Sequence, residues 1–168
     1  MKTNISLIGM PGAGKSTVGI ILAKNMGYGF IDSDVLIQIN QQKTLQEIMD
    51  QTGHLNLRAV EEREISRINL ERHIISTGGS AVYSEKAMTH LAQISHIVFL
   101  DVTIENLRKR IHNFESRGIA KNENQSFEEL FDERMKLYRK YAHITIDSNK
   151  LNQEELAIKI ANSVSLIN

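Results

Sequence analysis

Residues 9–16 read Gly-Met-Pro-Gly-Ala-Gly-Lys-Ser and match the pattern G-x-x-x-x-G-K-[ST] at every defined position. An apolar run precedes this segment, and apolar residues at helical spacing follow it. Glycines let consecutive backbone N–H groups turn toward phosphate oxygens, and the following helix adds the positive end of its dipole. The alternative is a glycine-rich turn that only starts a helix, but the strand-loop-helix context favours nucleotide binding. We expect ATP to contact Gly12, Ala13, Gly14, Lys15, Ser16 and Thr17.

The rest of the chain alternates between two hydrophobic patterns. Short apolar runs predict strands at residues 5–8, 30–31, 74–76, 97–100 and 144–146. Apolar residues at helical spacing predict helices at residues 15–26, 35–40, 44–51, 54–70, 84–91, 104–111, 127–141 and 154–166. Because helices separate consecutive strands, we expect an α/β fold with a five-stranded parallel sheet between two helical layers, a three-layer sandwich.

The chain shows no internal repeat and no linker, which predicts a single domain over residues 1–168. Residues 113–126 are polar and lack any periodicity, and Arg117 and Gly118 stand near the start of this segment. A long loop inside a compact domain is often functional. We therefore expect a mobile lid around residues 112–126; a polar loop without a function is the alternative.

Charge and composition limit the classes of molecule that the protein is expected to bind. Twenty basic and twenty acidic residues cancel, so no long-range attraction to nucleic acid or to an anionic membrane is expected. The 168 residues include no cysteine, which excludes disulfides, thiolate metal sites and cysteine nucleophiles. These features fit a monomer in the reducing cytoplasm that acts on a small molecule.

Other nucleotide-binding classes need motifs that this chain lacks. Residues 149–152 read Asn-Lys-Leu-Asn, so the final carboxylate of a guanine-reading Asn-Lys-x-Asp is missing. Residues 76–79 read Ser-Thr-Gly-Gly where a GTPase would have Asp-x-x-Gly. Motors and helicases normally need longer chains. The length of the chain fits the small enzymes that phosphorylate metabolites.

Such an enzyme needs a carboxylate near the acceptor hydroxyl and cations for the charge of its substrate. Asp32 and Asp34 follow the second predicted strand, at the carboxyl edge where ligands bind in parallel sheets. Helix capping by Asp32 is the alternative, and it is compatible with function. Arg58 and Arg134 are candidate cations, because a guanidinium binds a carboxylate through two parallel hydrogen bonds. Ordinary salt bridges with neighbouring glutamates on the same helices are the competing account.

Together with the phosphate loop, these residues make the sequence resemble the shikimate kinase family. The resemblance covers nearly the whole chain. The landmarks are residues 9–17, 30–34, 57–62, 76–80, 117 and 133–139. The resemblance implies a nucleoside-monophosphate-kinase-like fold, the use of ATP and Mg²⁺, and phosphorylation of a ring hydroxyl of shikimate in aromatic amino acid biosynthesis.

The resemblance also implies a role for each candidate residue. Lys15 and Arg117 stabilise the transferring phosphoryl group, and Asp34 accepts the proton of the substrate hydroxyl. The implied metal-binding residues are Ser16 and Asp32. The implied acceptor-binding residues are Asp34, Arg58, Gly78, Gly79, Ser80 and Arg134. Arg110 covers the adenine, and Glu61 orients Arg58.

Three residues depart from the family pattern, and all three lie on the acceptor side. Ser80 stands where a third glycine is usual, Leu57 where an aromatic residue is usual, and Gly118 where proline is usual. The nucleotide site is therefore expected to be intact, while the acceptor pocket is expected to be reshaped. Two alternatives follow: a kinase for another small polyhydroxy acid, and a non-catalytic nucleotide-binding regulatory domain.

Overall fold

The computed structural model describes residues 2–111 and 124–167. The strands are β1 (Asn4–Ile8), β2 (Gly29–Asp32), β3 (His73–Ser76), β4 (Ser95–Asp101) and β5 (Ile144–Asp147). The helices are α1 (Lys15–Met26), α2 (Ser33–Gln41), α3 (Leu45–Ser66), α4 (Glu85–Ile94), α5 (Ile104–Arg110), α6 (Phe127–Tyr141) and α7 (Gln153–Ser165). A short 3₁₀ turn, Ala81–Tyr83, follows β3.

The strands form one parallel sheet in the order β2-β3-β1-β4-β5. The central strand β1 pairs with β3 through Ile5 and Ile74, and with β4 through Ile5 and His96. Every residue of β1 is buried, as expected for a strand covered on both faces by helices. The predicted fold class is confirmed.

The carboxyl ends of the strands converge on one edge, and this edge positions the site. The phosphate loop follows β1, Asp32 ends β2, and residues 77–80 follow β3. In open parallel sheets ligands bind at this edge, beside the point where the strand order reverses.

The apolar interior is divided into two clusters. The main core covers both faces of the sheet and includes Leu7, Leu22, Ile75 and Phe99. A second, smaller cluster lies between α2 and α3 and consists of Ile37, Ile48, Leu57 and Val60, with Leu45 and Met49 packed against it.

Several helix ends differ from the sequence-based prediction, by at most four residues. The helices expected at residues 44–51 and 54–70 both form, and they meet within α3 at a kink where Gly53 has non-helical dihedrals (φ 76°, ψ 168°). This element ends at Ser66 and not at residue 70. The expected lid lies mostly outside the described residues, and so do Arg117 and Gly118. Within the described residues, no helix is both long and apolar enough to span a membrane.

Candidate active site

The phosphate loop is shaped by glycines with positive φ. Gly9, Gly12 and Gly14 have φ of 146°, 82° and 94°, a region that residues with a Cβ rarely adopt. Gly14 is the N-cap of α1, and no side chain caps the helix there. The first N–H groups of α1 are therefore available to an anion, which is the arrangement that binds phosphate.

Lys15 is folded over the loop that it follows. Its Nζ donates hydrogen bonds to the carbonyl oxygens of Gly9 at 2.8 Å and Met10 at 3.0 Å. Burial lowers the pKa of Lys15 to about 8, although the carboxylates of Asp34 and Asp32 oppose this shift. A cation that has lost much of its water is well suited to interact with phosphate oxygens.

Ser16 and Asp32 form the candidate magnesium site. Ser16 Oγ donates to Asp32 Oδ2 at 2.5 Å, and Asp32 Oδ1 accepts a hydrogen bond from the backbone N–H of Asp34 at 2.9 Å. Asp32 thus caps α2 and also faces Ser16, so the capping account and the functional account both hold for the same side chain. Hydroxyl and carboxylate oxygens are the ligands that Mg²⁺ prefers, and Mg²⁺ at such sites draws further ligands from water and from substrate phosphates. The donor set therefore fits the ion.

Asp34 and Glu61 converge on Gly78. A Cβ on Gly78 would overlap Glu61 Oε1 and would lie 2.7 Å from Asp34 Oδ1. Burial, followed by the charge of Asp32, raises the pKa of Asp34 to about 6. Burial, followed by the charge of Asp34, raises the pKa of Glu61 to about 7. A carboxylate with a pKa near neutrality is suited to accept a proton from a hydroxyl.

Arg134 is buried beneath the acceptor end of the site. Its side chain is only 1% exposed, so the alternative of a surface salt bridge does not apply. A Cβ on Gly79 would lie 2.9 Å from Arg134 Nη1, which shows how closely the backbone there approaches the guanidinium. Tyr138, stacked on Phe99, donates a hydrogen bond to the carbonyl oxygen of Gly79 at 2.7 Å and fixes this segment.

Arg58 lies beside the ring of Tyr83. The guanidinium carbon is 3.6 Å from the ring centroid, within the range of a cation–π contact. The resemblance implies that Glu61 orients Arg58. In the structure, Glu61 Oε2 accepts a hydrogen bond from Ser80 Oγ at 2.5 Å. Tyr83 was not identified from the sequence, because nothing in the spacing from residue 58 to residue 83 predicts that the two side chains meet.

A cleft of about 1160 Å³ joins these parts. Its lining includes the predicted residues Gly12, Ala13, Gly14, Lys15, Ser16, Thr17, Asp34, Gly78, Gly79, Ser80, Arg110 and Arg134. Arg110 marks the far end, where its Nη2 donates to the carbonyl oxygen of Ser148 at 3.1 Å. Arg58 lines a neighbouring cleft of about 370 Å³, and the two clefts share Glu61 and Ser80.

Comparison with known proteins agrees with this geometry. A family model described as shikimate kinase matches residues 11–165. A shikimate kinase of Sulfurihydrogenibium sp. is 32% identical over 162 residues, covering 96% of this chain and 97% of the relative. A shikimate kinase of Clostridium botulinum (strain Okra / Type B1) is 38% identical over 161 residues, covering 94% of this chain and 93% of the relative.

Solved structures agree as well. Shikimate kinase from Acinetobacter baumannii in complex with shikimate has a TM-score of 0.92 and 30% identity, covering 100% of this chain and 96% of that one. Shikimate kinase from Aquifex aeolicus has a TM-score of 0.82 and 29% identity, with 96% of both chains covered. The matches in sequence and in structure extend over the whole fold, and the chain belongs to the shikimate kinase family.

Proposed function

We propose that the protein transfers the γ-phosphoryl group of ATP to a ring hydroxyl of shikimate, a step in aromatic amino acid biosynthesis. One observation carries the proposal: a single cleft runs from the phosphate loop to a pocket lined by Asp34 and Arg134. A phosphate donor and an anionic hydroxylated acceptor can therefore meet inside one enclosure. The shikimate-bound relative from Acinetobacter baumannii supports the choice of acceptor.

The residues of the cleft divide the reaction between them. The acceptor hydroxyl oxygen attacks the γ-phosphorus, the bond between this phosphorus and the oxygen bridging it to ADP breaks, and the hydroxyl proton passes to Asp34. Lys15 and the N–H groups at the start of α1 stabilise the charge on the phosphate oxygens. By family resemblance, Arg117 stabilises the same phosphate charge. It lies outside the described residues, so this role rests on the resemblance alone.

Mg²⁺ neutralises phosphate charge when it is bound. Ser16 and Asp32 are the residues that would hold it, because their oxygens already face each other. Asp32 also caps the N-terminus of α2 by accepting a hydrogen bond from the backbone N–H of Asp34.

The acceptor carboxylate is assigned to the two arginines. Arg134 supplies a cation from beneath Gly79, and Arg58 supplies one from α3. Gly78, Gly79 and Ser80 line the same large cleft as Arg134. Arginine is suited to this task because its planar fork pairs with both carboxylate oxygens.

A coupled assay of ADP release tests the proposal and separates its alternatives. We expect ATP turnover that depends on shikimate and is lost in Lys15→Ala, while the variant keeps its fold as judged by circular dichroism. Turnover with quinate or another hydroxy acid, and none with shikimate, would indicate a different acceptor. ATP binding without turnover on any acid in the panel would indicate a regulatory nucleotide-binding domain.

We also propose that the protein acts as a monomer in the cytoplasm. The phosphate loop, Asp34 and Arg134 meet in a single cleft, and ATP is abundant in that compartment. Sedimentation of the purified protein with and without ATP measures the oligomeric state. A stable dimer would contradict the monomer.

A further inference from the structure

Ser80 and Glu61 form a buried hydrogen bond in the wall between the two clefts. Ser80 Oγ donates to Glu61 Oε2 at 2.5 Å, and the two residues are 9% and 3% exposed. A hydroxyl bound to a carboxylate makes a stronger contact than a neutral pair, especially away from water. The bond links the segment after β3 to α3 and fixes the orientation of the Glu61 carboxylate.

This orientation directs the second oxygen of Glu61 toward the large cleft. Oε1 packs against Gly78, is buried, and has no hydrogen-bond partner among residues 2–111 and 124–167. Ser80 thus occupies one oxygen of Glu61, and the absence of a side chain at Gly78 makes room for the other. In this arrangement the Glu61 carboxylate is part of the wall of the acceptor pocket.

Arg58 is held by a different contact. Its guanidinium lies 3.6 Å from the centroid of the Tyr83 ring, while the guanidinium of Arg134 lies 5.5 Å from the same centroid. One aromatic ring therefore contacts both arginines assigned to the acceptor carboxylate. A ring face attracts cations and gives them a flat surface that limits their rotation.

We propose that Ser80 determines the partner of Glu61, and that the ring of Tyr83 orients Arg58 in place of Glu61. Both are positioning residues for the carboxylate end of the acceptor site, and the inference rests on the proposed function. Ser80 binds Glu61 Oε2, and the aromatic ring three residues later lies against the guanidinium of Arg58. The acceptor affinity of this chain then depends on an aromatic contact.

The first test concerns Tyr83. We expect Tyr83→Leu to raise KM for shikimate roughly tenfold, as the loss of a partly desolvated cation–π contact implies. The values of kcat and of KM for ATP stay close to those of the parent, and Tyr83→Phe restores KM because the ring remains. A double-mutant cycle with Arg58→Lys should be non-additive for Tyr83→Leu and additive for Glu61→Gln. The reverse pattern would show that Glu61 orients Arg58 and would overturn the proposal.

The second test concerns Ser80. In Ser80→Gly, Glu61 is released toward Arg58, so KM for shikimate should fall roughly threefold or more. In the same background the Glu61→Gln and Arg58→Lys effects should become coupled. An unchanged KM together with additive effects would contradict the assignment of Ser80.

Ser84 offers a matched control for this experiment. It donates a similar bond at 2.6 Å to Glu62, the neighbouring glutamate on α3. Both residues line the small cleft, but neither lines the large one. It also caps α4. Ser84→Ala should lower the melting temperature and leave KM for shikimate unchanged. If Ser84→Ala shifts KM as much as Ser80→Gly does, the effect is general destabilisation and the proposal fails.

A substrate-free measurement separates this inference from the proposed function. A thermal-unfolding cycle of Ser80→Ala and Glu61→Leu should be non-additive in the parent protein, whatever its acceptor is. Additive unfolding effects overturn the inference even if shikimate is phosphorylated. Non-additive effects support the hydrogen bond between Ser80 and Glu61. If the parent then shows no turnover with shikimate, the proposed function and the role of Ser80 in shikimate binding are refuted, while the hydrogen bond stands.

Discussion

Glu61 illustrates how a single buried carboxylate links stability to activity in this fold. It contacts Ser80, packs against Gly78 and lies near the charges of Asp34, Arg134 and Lys15. Burial raises its pKa to about 7, whereas a solvated glutamate has a pKa of 4.5. The native state therefore holds a proton there more firmly than the unfolded chain does.

The sign of the resulting pH dependence follows from proton linkage. Between pH 4.5 and pH 7 the native state binds more protons at Glu61 than the unfolded state, so this residue makes the protein less stable as pH rises through that window. We expect Glu61→Gln to remove this component, so that the difference in unfolding free energy between variant and parent grows with pH. Urea unfolding at several pH values measures it. Glu62→Gln is the control, and an equal slope for both variants would refute the assignment to Glu61.

Gly78 gives a second prediction at the scale of one residue. A Cβ there would overlap Glu61 Oε1 and crowd Asp34 Oδ1. We expect Gly78→Ala to lower kcat/KM roughly a hundredfold, because displacing a catalytic group by about 1 Å can have that effect. Gly53→Ala is the control, since a Cβ at Gly53 would meet nothing within 4 Å. It should lower stability through its positive φ and keep its activity, and comparable losses in the two variants would contradict the steric argument.

At the scale of elements, local side-chain contacts define where helices begin. Capping boxes open α3 through Thr44 and Glu47, and α6 through Ser126 and Glu129. A third opens α7, where Asn152 accepts hydrogen bonds from two backbone N–H groups. In each case a serine, threonine or asparagine precedes a glutamate by three residues, a pattern that satisfies otherwise unpaired N–H groups.

Sequence reasoning therefore predicted the elements better than the contacts between them. The order of strands and helices and the parallel sheet follow from the spacing of apolar residues, and the phosphate loop follows from one motif. Both signals are local in the chain. The two helices predicted on either side of residue 53 are both present, because Gly53 kinks α3 between them. The contacts of Tyr83 with Arg58 and of Ser80 with Glu61 join distant segments, and no local pattern encodes them.

Asn4 provides a prediction at the junction of several elements. It is 1% exposed at the start of β1, where its Nδ2 donates to the carbonyl oxygens of Leu70 and Ile94 at 2.6 and 3.1 Å. Its Oδ1 accepts from the backbone N–H of His73 at 2.9 Å. We expect Asn4→Ala to lower the unfolding free energy by about 2–3 kcal/mol, because buried backbone groups lose their partners. Activity below the melting temperature should match the parent, and a stability change under 0.5 kcal/mol (roughly the surface-substitution range) would contradict the account.

At the scale of the whole molecule, the α2 and α3 side of the cleft has its own small hydrophobic cluster, separate from the main core around the sheet. The small cluster between α2 and α3 is separate from the main core, and Ile37, Leu45 and Leu57 from this region also line the large cleft. Regions with little apolar burial of their own open more readily than the core of a sheet. The α2 and α3 side of the acceptor pocket is thus expected to be less stable than the sheet.

Hydrogen exchange tests this division. We expect amides of α2 and of the first half of α3 to exchange faster than those of β1 and β4. Shikimate should slow exchange in α2 and α3, whereas a non-hydrolysable ATP analogue alone should slow it mainly at residues 9–17. Uniform exchange across both clusters, or equal protection of both regions by either ligand, would contradict the prediction.

The sheet order has a consequence for the way in which a ribosome delivers this chain. The strand that carries the phosphate loop, β1, leaves the ribosome before the other four, but its neighbours are β3 and β4, which end at Ser76 and Asp101. β1 has no neighbouring strand to pair with until Ser76, the end of β3, has been translated. During that interval its apolar residues and the glycine loop must stay free of other nascent chains. The ATP site is therefore encoded first and assembled late.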